Sequence, residues 1–200
     1  MNQRYAQKMK TRSTLLQSAL KLMGEEKALG SLSLREVAAE AGIVPAAFYR
    51  HFKDMEELGL ALVDEVSAKL RSILRDARKK GAYKTALKIS IDMFFSYVKQ
   101  NGLLFRFMVR ERVGGNRRIR QAIRSELNFV ASELASDMRI KRVPPSELAF
   151  VAEFIVFTSF GNVSEFLDSD PHDTKTENFI KAKTVKQIRT IFRGSVIKII

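Results

Sequence analysis

The stretch from Ser31 to Phe52, SLSLREVAAEAGIVPAAFYRHF, constrains the fold most, because it carries the start and end signals of two short helices. Ser33 followed by Glu36 forms a capping box, which predicts that a helix begins directly after Ser33. Gly42 follows the apolar face of this helix and favours the left-handed backbone that ends it. Pro45 then suits the first turn of a second helix, where a missing backbone N–H costs no hydrogen bond.

We expect the second helix to run from about Pro45 to Phe52, with one buried and one exposed face. Phe48 and Phe52 lie one helical turn apart and form the buried face. The opposite face presents Ala46, Tyr49 and Arg50. This order of helix, turn and helix is typical of a DNA-binding helix-turn-helix, in which the second helix reads the major groove. An ordinary helical hairpin inside an all-α core has the same spacing, so the pattern alone leaves both interpretations open.

The residue types on this stretch favour DNA binding. The segments SLREVAAEAG and FYRHFKDMEEL resemble the N-terminal domain of TetR-type transcriptional regulators. The resemblance implies that Tyr49, His51 and Lys53 face DNA phosphates. Ala46 and Ala47 depart from the pattern, because many relatives have Ser or Thr there, and Val44 takes the usual Ser/Thr capping position. The candidate DNA-binding residues are Thr11, Arg12, Ser33, Arg35, Pro45, Ala46, Ala47, Tyr49, Arg50, His51 and Lys53.

The first helix is expected from about Met9 to Glu25, with an apolar stripe that includes Leu15 and Leu16. Thr11 and Arg12 would then lie at its start, where free backbone N–H groups and the helix dipole favour a phosphate. Arg50 is suited to donate either to a phosphate or to a guanine edge.

Composition and charge narrow the function classes. The net charge of +13 and the pI of about 10.1 indicate a polyanionic partner. The excess is uneven, since residues 69–124 carry 16 basic and three acidic side chains. The absence of Cys excludes disulfides and thiolate metal sites and is compatible with a cytoplasmic location. No apolar run has the length of a transmembrane helix, and the basic N-terminus has no apolar signal core.

The chain beyond residue 53 continues as helix after helix, without an alternating strand pattern. We expect an all-α, nine-helix architecture with two domains. Residues 1–53 form a three-helix DNA-binding domain, and residues 54–200 form a connector helix with a ligand-binding and dimerisation domain. The same helix count and order describe the TetR-type fold, in which the last two long helices, here near residues 146–167 and 175–193, pair in a homodimer. Their predicted dimer face comprises Phe150, Phe154, Phe157, Val163 and Phe166.

Within the TetR family, the chain is most similar to the repressors of unsaturated fatty-acid biosynthesis. This resemblance rests on SLSLREVAAEAGI, FYRHFKDMEELGLALVDE and FRFMVRERVGG. It implies a homodimeric repressor of those genes that binds palindromic duplex DNA and needs no cofactor. It also implies an effector that is a long-chain acyl thioester, either acyl-CoA or acyl carrier protein.

A long acyl chain needs an apolar tunnel between helices. The candidate ligand-binding residues are Phe94, Tyr97, Phe105, Arg106, Met108, Arg110, Phe129 and Phe157. The two arginines are placed to receive the phosphates of coenzyme A. Phe and Met at helical spacing also form ordinary cores, so for each apolar residue alone a packing role is the simpler interpretation.

Two other function classes remain open from the sequence. A TetR-type regulator of this kind can sense another hydrophobic molecule, and a basic helical protein can bind anionic membranes. The membrane interpretation ranks last, because the apolar helix faces have partners to bury against. An enzyme is not expected, since His51 and His172 lie in different predicted domains and no nucleophile with a base is evident. No metal site is expected, because the loop around His172 offers carboxylates but no second imidazole.

Overall fold

The computed structural model describes residues 3–24, 26–80, 83–137, 144 and 146–196. Over these ranges the regular secondary structure is entirely helical, which confirms the predicted all-α class. The helices are α1 (Gln3–Met23), α2 (Leu34–Glu40), α3 (Pro45–Phe48), α4 (Met55–Lys80), α5 (Tyr83–Gln100), α6 (Gly102–Gly114), α7 (Arg117–Asp137), α8 (Leu148–Gly161), α9 (Val163–Asp168) and α10 (Thr174–Val196). A short 3-10 helix, Leu29–Ser31, precedes α2.

Each of the nine predicted helices has a counterpart in the described ranges, but the eighth is divided at Asn162 into α8 and α9. The side-chain amide of Asn162 donates to Thr184 Oγ1 at 2.9 Å and to Gln187 Oε1 at 2.8 Å, both on α10. This buried polar side chain is thus held by a neighbouring helix at the point where α8 ends. The predicted end of the seventh helix near Arg139, residues 143 and 145 of the interruption at 143–146, and the last four residues lie outside the described part of the chain.

Two predicted helix limits in the N-terminal region are wrong. The first helix begins at Gln3 rather than Met9, so it includes the basic segment that precedes its buried stripe. The second helix of the helix-turn-helix is α-helical only from Pro45 to Phe48. After Phe48 the backbone continues in tighter turns, in which Arg50 N donates to Ala47 O at 3.2 Å and His51 N donates to Phe48 O at 2.8 Å.

The chain packs as two compact units. The first comprises Met1–Ser67 with Gly102–Ile123, and the second comprises Ala68–Asn101 with Arg124–Ile200. These units do not follow the predicted division after residue 53, because α6 and the start of α7 pack with the N-terminal helices. A DNA-binding domain limited to residues 1–53 therefore stays a prediction.

Within the first unit, one segment fixes the connection between α1 and α2. We call residues 110–119 the α6–α7 corner. Its Glu111 is buried, and the carboxylate accepts a hydrogen bond from Leu29 N at 2.9 Å. The guanidinium of Arg110 donates to the carbonyl of Lys27. The same corner therefore holds two backbone groups of the connection that leads into α2.

The α6–α7 corner also holds the start of α4. Asn116 caps α7 by accepting from Ile119 N at 2.9 Å, and its amide donates to Glu56 at 2.9 Å. Arg118 forms an ion pair with the same carboxylate at 2.6 Å. Both ends of the helix-turn-helix segment, the connection before α2 and the first turn of α4, are thus attached to one corner.

The second unit has a core of aromatic and aliphatic side chains from α5, α8, α9 and α10. The rings of Phe95 and Phe166 lie 4.7 Å apart, and an ion pair joins Lys99 to Glu177. The expectation that no apolar run has the length of a transmembrane helix is wrong by length and composition, because Leu148–Asp168 meets both criteria. Of its 18-residue apolar window, 44% is buried inside the protein.

The α6–α7 corner is closely packed around Gly115. A Cβ built there meets the backbone carbonyl of Glu111 at 2.6 Å and its Cα at 3.0 Å, whereas a Cβ at Gly114 meets nothing within 4 Å. We expect Gly115→Ala to lower the free energy of unfolding by about 1–3 kcal/mol, because backbone must move. Gly114→Ala should change it by less than about 0.5 kcal/mol. Urea unfolding of both variants checks this, and equal stabilities would contradict the packing described.

Candidate nucleic-acid interface

The helix-turn-helix is built from the local signals that the sequence carries. The Ser33 hydroxyl accepts from Glu36 N at 3.2 Å, and the Glu36 carboxylate accepts from Ser33 N at 2.7 Å, so the predicted capping box is present. These hydrogen bonds lower the pKa of Glu36. Gly42 has φ +68°, as the predicted left-handed end of α2 requires, and Ile43 N closes the turn by donating to Ala38 O at 3.0 Å.

The short α3 presents a defined outer face. Phe48 is fully buried and anchors the helix, while Pro45, Ala46, Tyr49 and Arg50 are exposed. The ring of Tyr49 is 62% exposed and contacts Phe48 edge-on at 6.0 Å, so its phenol is held at the surface. Exposed methyl, phenol and guanidinium groups on α3 and the turn directly after it suit contact with base edges and phosphates.

Ala47 is half-buried, so of the two adjacent alanines only Ala46 is fully on the outer face. Val44 provides no side-chain hydrogen bond to the start of α3. Ser33 is exposed, but its hydroxyl is engaged in the capping box, whereas Arg35 is exposed on the first turn of α2.

Arg12 has a different environment from the one expected. Because α1 begins at Gln3, Thr11 and Arg12 lie inside the helix, and the expectation that free N–H groups at a helix start bind phosphate there is wrong. The Thr11 hydroxyl donates to Gln7 O at 3.1 Å. The Arg12 guanidinium donates to His51 O at 3.1 Å and lies 4.2 Å from the centre of the Phe52 ring. We call residues 45–52 the DNA-reading segment. Arg12 therefore positions the end of the DNA-reading segment.

His51 is half-buried beside these groups. Burial lowers its pKa first, and the positive charges of Lys8, Arg12 and Arg50 lower the pKa further. Its Nδ1 is enclosed and has no hydrogen-bond partner among the described residues. The imidazole is thus kept neutral in a positive environment, and a phosphate would reverse that preference.

Lys53 lies at the junction with α4. Its backbone N–H donates to Glu57 Oε2 at 2.6 Å, and Glu57 N donates to Asp54 Oδ1 at 2.8 Å, so Asp54 caps the start of α4. The Lys53 side chain is exposed. Its backbone is therefore fixed, while its ammonium group is accessible to a phosphate.

The predicted ligand-binding residues are divided equally between the two units. In the first unit, Phe105 and Met108 are buried, and Arg106 and Arg110 are half-buried. In the second unit, Phe94 and Tyr97 are buried and Phe157 is half-buried. Phe129 is 50% exposed, and the Arg71 guanidinium lies 4.9 Å from its ring centre.

Sequence reasoning missed the role of Glu111. Leu104, Phe107, Met108 and Glu111 recur at helical spacing and are all buried on α6. A carboxylate at the fourth position of an apolar stripe is unusual unless it is hydrogen-bonded, and this pattern is the signal that identifies Glu111. Among the described residues, no group of three or more acidic, His or Cys side chains is placed to hold a metal ion.

Comparison with known proteins agrees with this geometry. Residues 15–62 match the model of bacterial regulatory proteins of the TetR family, and residues 83–194 match a tetracyclin repressor-like C-terminal domain. An uncharacterized HTH-type transcriptional regulator of Haemophilus influenzae is 38% identical over 194 residues, which are 96% of this chain and 93% of that protein. The chain belongs to the TetR family. It is a DNA-binding transcriptional regulator, and TetR-family regulators typically act as homodimers that respond to small molecules.

Solved structures share the fold at low sequence identity. The fatty acid degradation regulator FadR of Bacillus halodurans is 15% identical with a TM-score of 0.75, covering 92% of this chain and 95% of its own. A TetR-family transcriptional regulator of Streptomyces coelicolor is 17% identical with a TM-score of 0.72, covering 94% of this chain and 90% of its own. Both similarities support the helix order and the two-part TetR architecture.

Lys53→Ala should weaken binding to all duplex sequences alike. Loss of one phosphate contact per protomer should reduce the slope of log K against log salt by about 0.9 for each bound protomer, or about 1.8 for a dimer. Fluorescence anisotropy with labelled duplexes from about 50 to 200 mM salt measures that slope. Lys175→Ala, which removes an exposed lysine on α10, is the control and should leave the slope unchanged. A changed sequence preference with an intact slope would contradict the assignment.

His51 should make DNA affinity depend on pH. In the free protein the pKa of His51 is lowered, so the folded state favours the neutral imidazole. Its contribution to the free energy of unfolding is fully present above the ordinary pKa of histidine and is lost as pH falls below that value. A phosphate near the imidazole raises the pKa in the complex, so binding takes up a proton and tightens as pH falls from about 8 to 6. The gain is at most about tenfold per pH unit for one proton.

The pH dependence is measured by anisotropy titrations of the wild type and two variants. His51→Gln should flatten the dependence, whereas His172→Gln, a change in an exposed loop, should preserve it. An unchanged slope in His51→Gln would show that the imidazole does not contact the duplex.

Proposed function

We propose that this TetR-family protein represses genes of unsaturated fatty-acid biosynthesis and responds to a long-chain acyl thioester, either acyl-CoA or acyl carrier protein. One observation carries the proposal. The segment FRFMVRERVGG, residues 105–115, bears the resemblance to this branch and forms most of α6, the helix whose Glu111 holds the connection before α2. The segment on which this resemblance rests is thus also attached to the connection that leads into the helix-turn-helix.

The composition of α5 and α6 suits an acyl effector. In the first unit, the buried face of α6 includes Phe105, Phe107 and Met108. In the second unit, α5 buries Phe94 and Tyr97. Side chains of this kind repack readily around a flexible hydrocarbon chain, and Met is the most adaptable of them.

The route from effector to DNA follows from contacts within the first unit. A displacement of α6 carries the Glu111 carboxylate with it, and Leu29 N must follow or lose a buried hydrogen bond. Leaving a buried N–H unsatisfied costs about 1–3 kcal/mol. That energy is comparable with typical allosteric coupling of about 1–3 kcal/mol, which changes affinity by about 5–150-fold. An effector that favours one position of α6 therefore biases the position of α2 and α3.

The structural similarity to FadR adds support for a link to fatty-acid metabolism. That protein is described as a fatty acid degradation regulator, and it shares the helix order of this chain. A TetR-family regulator of another hydrophobic molecule is the second candidate, because the same apolar side chains suit many ligands. Membrane-surface binding ranks below both, and we expect a cytoplasmic location.

The dimer that palindromic DNA requires has a suitable surface in the second unit. Phe150 and Phe154 lie one turn apart on α8 and are 62% and 61% exposed, and Phe179 on α10 is 64% exposed. Exposed aromatic side chains on two helices that pack together indicate a surface covered by a second copy. Val163 and Phe166, which were predicted on this face, lie instead in the protomer's own core.

Phe154→Glu should convert a dimer into monomers, because a carboxylate at an apolar interface loses its solvation without gaining a partner. Sedimentation equilibrium at micromolar concentration measures the mass. Phe129→Glu is the matched control, since Phe129 is also half-exposed but lies on α7. A wild-type protein that sediments as a monomer would reject the proposed dimer.

The effector proposal is tested by calorimetry with oleoyl-CoA and palmitoyl-CoA, and with free coenzyme A as the control. We expect micromolar or tighter binding of at least one acyl-CoA and no comparable binding of coenzyme A. The same acyl-CoA should change the gel shift of the DNA that lies upstream of the gene encoding this protein. Val109→Phe, which enlarges a half-buried side chain of α6, should reduce the acyl response while DNA binding persists.

Glu111→Ala separates coupling from binding. It should preserve acyl-CoA binding and weaken its effect on the gel shift, since the link to Leu29 is lost. If both acyl-CoA ligands fail to bind and fail to alter the gel shift, the acyl effector is rejected. A TetR-family regulator of a different ligand then remains.

A further inference from the structure

The basic residues at the start of α1 continue the line of its buried stripe. Leu15, Leu16 and Ala19 face the interior of the first unit. Counting back by helical turns, Lys8 lies seven residues before Leu15, and Arg12 lies four before Leu16. The face of α1 that is apolar inside the protein is therefore basic further toward the N-terminus.

This basic part of α1 extends beyond the packed body of the first unit. We call residues 3–10 the N-terminal arm; every residue in it is exposed. Arg12 is the first half-buried residue on the basic stripe, and it contacts His51 O and the Phe52 ring. Lys8 lies one turn, about 6 Å along the axis, before Arg12. The arm thus leaves the protein beside the end of the DNA-reading segment.

The electrostatics of His51 agree with this placement. The positive charge of Lys8 is among the causes that lower the pKa of His51, together with Arg12 and Arg50. Lys8 therefore contributes to the same positive potential as residues of the reading segment. Residues 3–12 carry four basic and no acidic side chains, so their charge complements a polyanion.

We propose that the N-terminal arm is a second DNA-binding element, in which Lys8 binds the sugar-phosphate backbone of operator DNA outside the groove read by α3. The inference rests on DNA binding by the helix-turn-helix and adds a contact on the flank of each half-site. Tyr5, which is 58% exposed, provides a phenol one turn before Met9 and is suited to donate to a neighbouring phosphate.

The length of the arm sets the size of the added footprint. From Gln3 to Arg12 the helix rises by about 14 Å, at about 1.5 Å per residue. Duplex DNA rises by about 3.4 Å per base pair, so the arm spans up to about four base pairs on each flank. Each phosphate bound through Lys8 should add about 0.9 to the salt slope.

Lys8 and Lys10 provide a matched pair for the test. Both are exposed lysines on α1, but two residues of helix separate them by about 200°, so Lys10 points away from the basic stripe. The probe is a duplex selected by the wild-type protein from a random pool, and its flanks are then shortened in steps of one base pair. Circular dichroism confirms equal helix content in both variants.

We expect Lys8→Ala to bind the long duplex about 3–10-fold more weakly, with a salt slope smaller by about 0.9 for each bound protomer, or about 1.8 for a dimer on both half-sites. Removing the outer four or so base pairs should weaken the wild type and Lys10→Ala, but not Lys8→Ala. Equal losses of DNA affinity in the two variants, or a loss of affinity in Lys8→Ala that persists on the shortest duplex, would overturn the proposal that the N-terminal arm binds DNA. A wild-type protein that selects no duplex would instead reject DNA binding itself.

Discussion

The position of the helix-turn-helix, α2 and α3, depends on one buried hydrogen bond, from Leu29 N to the carboxylate of Glu111. A carboxylate is rarely buried unless its charge is compensated by hydrogen bonds, so this side chain is stable only where the backbone of the α1–α2 connection meets it. Gly115 permits the close approach, since any Cβ there would collide with Glu111. The helix-turn-helix is thus positioned by α6, a helix that begins at Gly102, well beyond it in the chain.

The reading segment itself is short, and its orientation comes from packing rather than from helix length. An α-helix of four residues has almost no intrinsic stability. Phe48 and Phe52 anchor it in the core, Arg12 binds the carbonyl at its end, and the box formed by Asp54 and Glu57 begins the next helix. The exposed side chains between these anchors are therefore presented by a nearly rigid frame.

Local chemistry was predictable from the sequence, and distant contacts were not. The capping box at Ser33, the left-handed Gly42 and the buried Phe48 follow from signals within a few residues. The start of α1 at Gln3 was not predicted, because the apolar stripe that marks this helix begins only at Leu15 and the segment before it is polar and basic. The break at Asn162 depends on Thr184, which is 22 residues away, so periodicity within one helix does not reveal it. The aromatic residues of α5 and α6 were predicted to bind a ligand, and this stays a prediction, because composition alone does not distinguish a ligand site from a core.

The contact between Glu111 and Leu29 joins residues that are 82 positions apart in the chain. Synthesis at about 5–20 residues per second separates their appearance by roughly 4–16 s. During that interval the three N-terminal helices emerge without the helix that completes their compact unit. The nascent helix-turn-helix therefore acquires the contacts of its compact unit only after α6 has been made, so we expect its competence to bind DNA to be delayed until α6 has been translated.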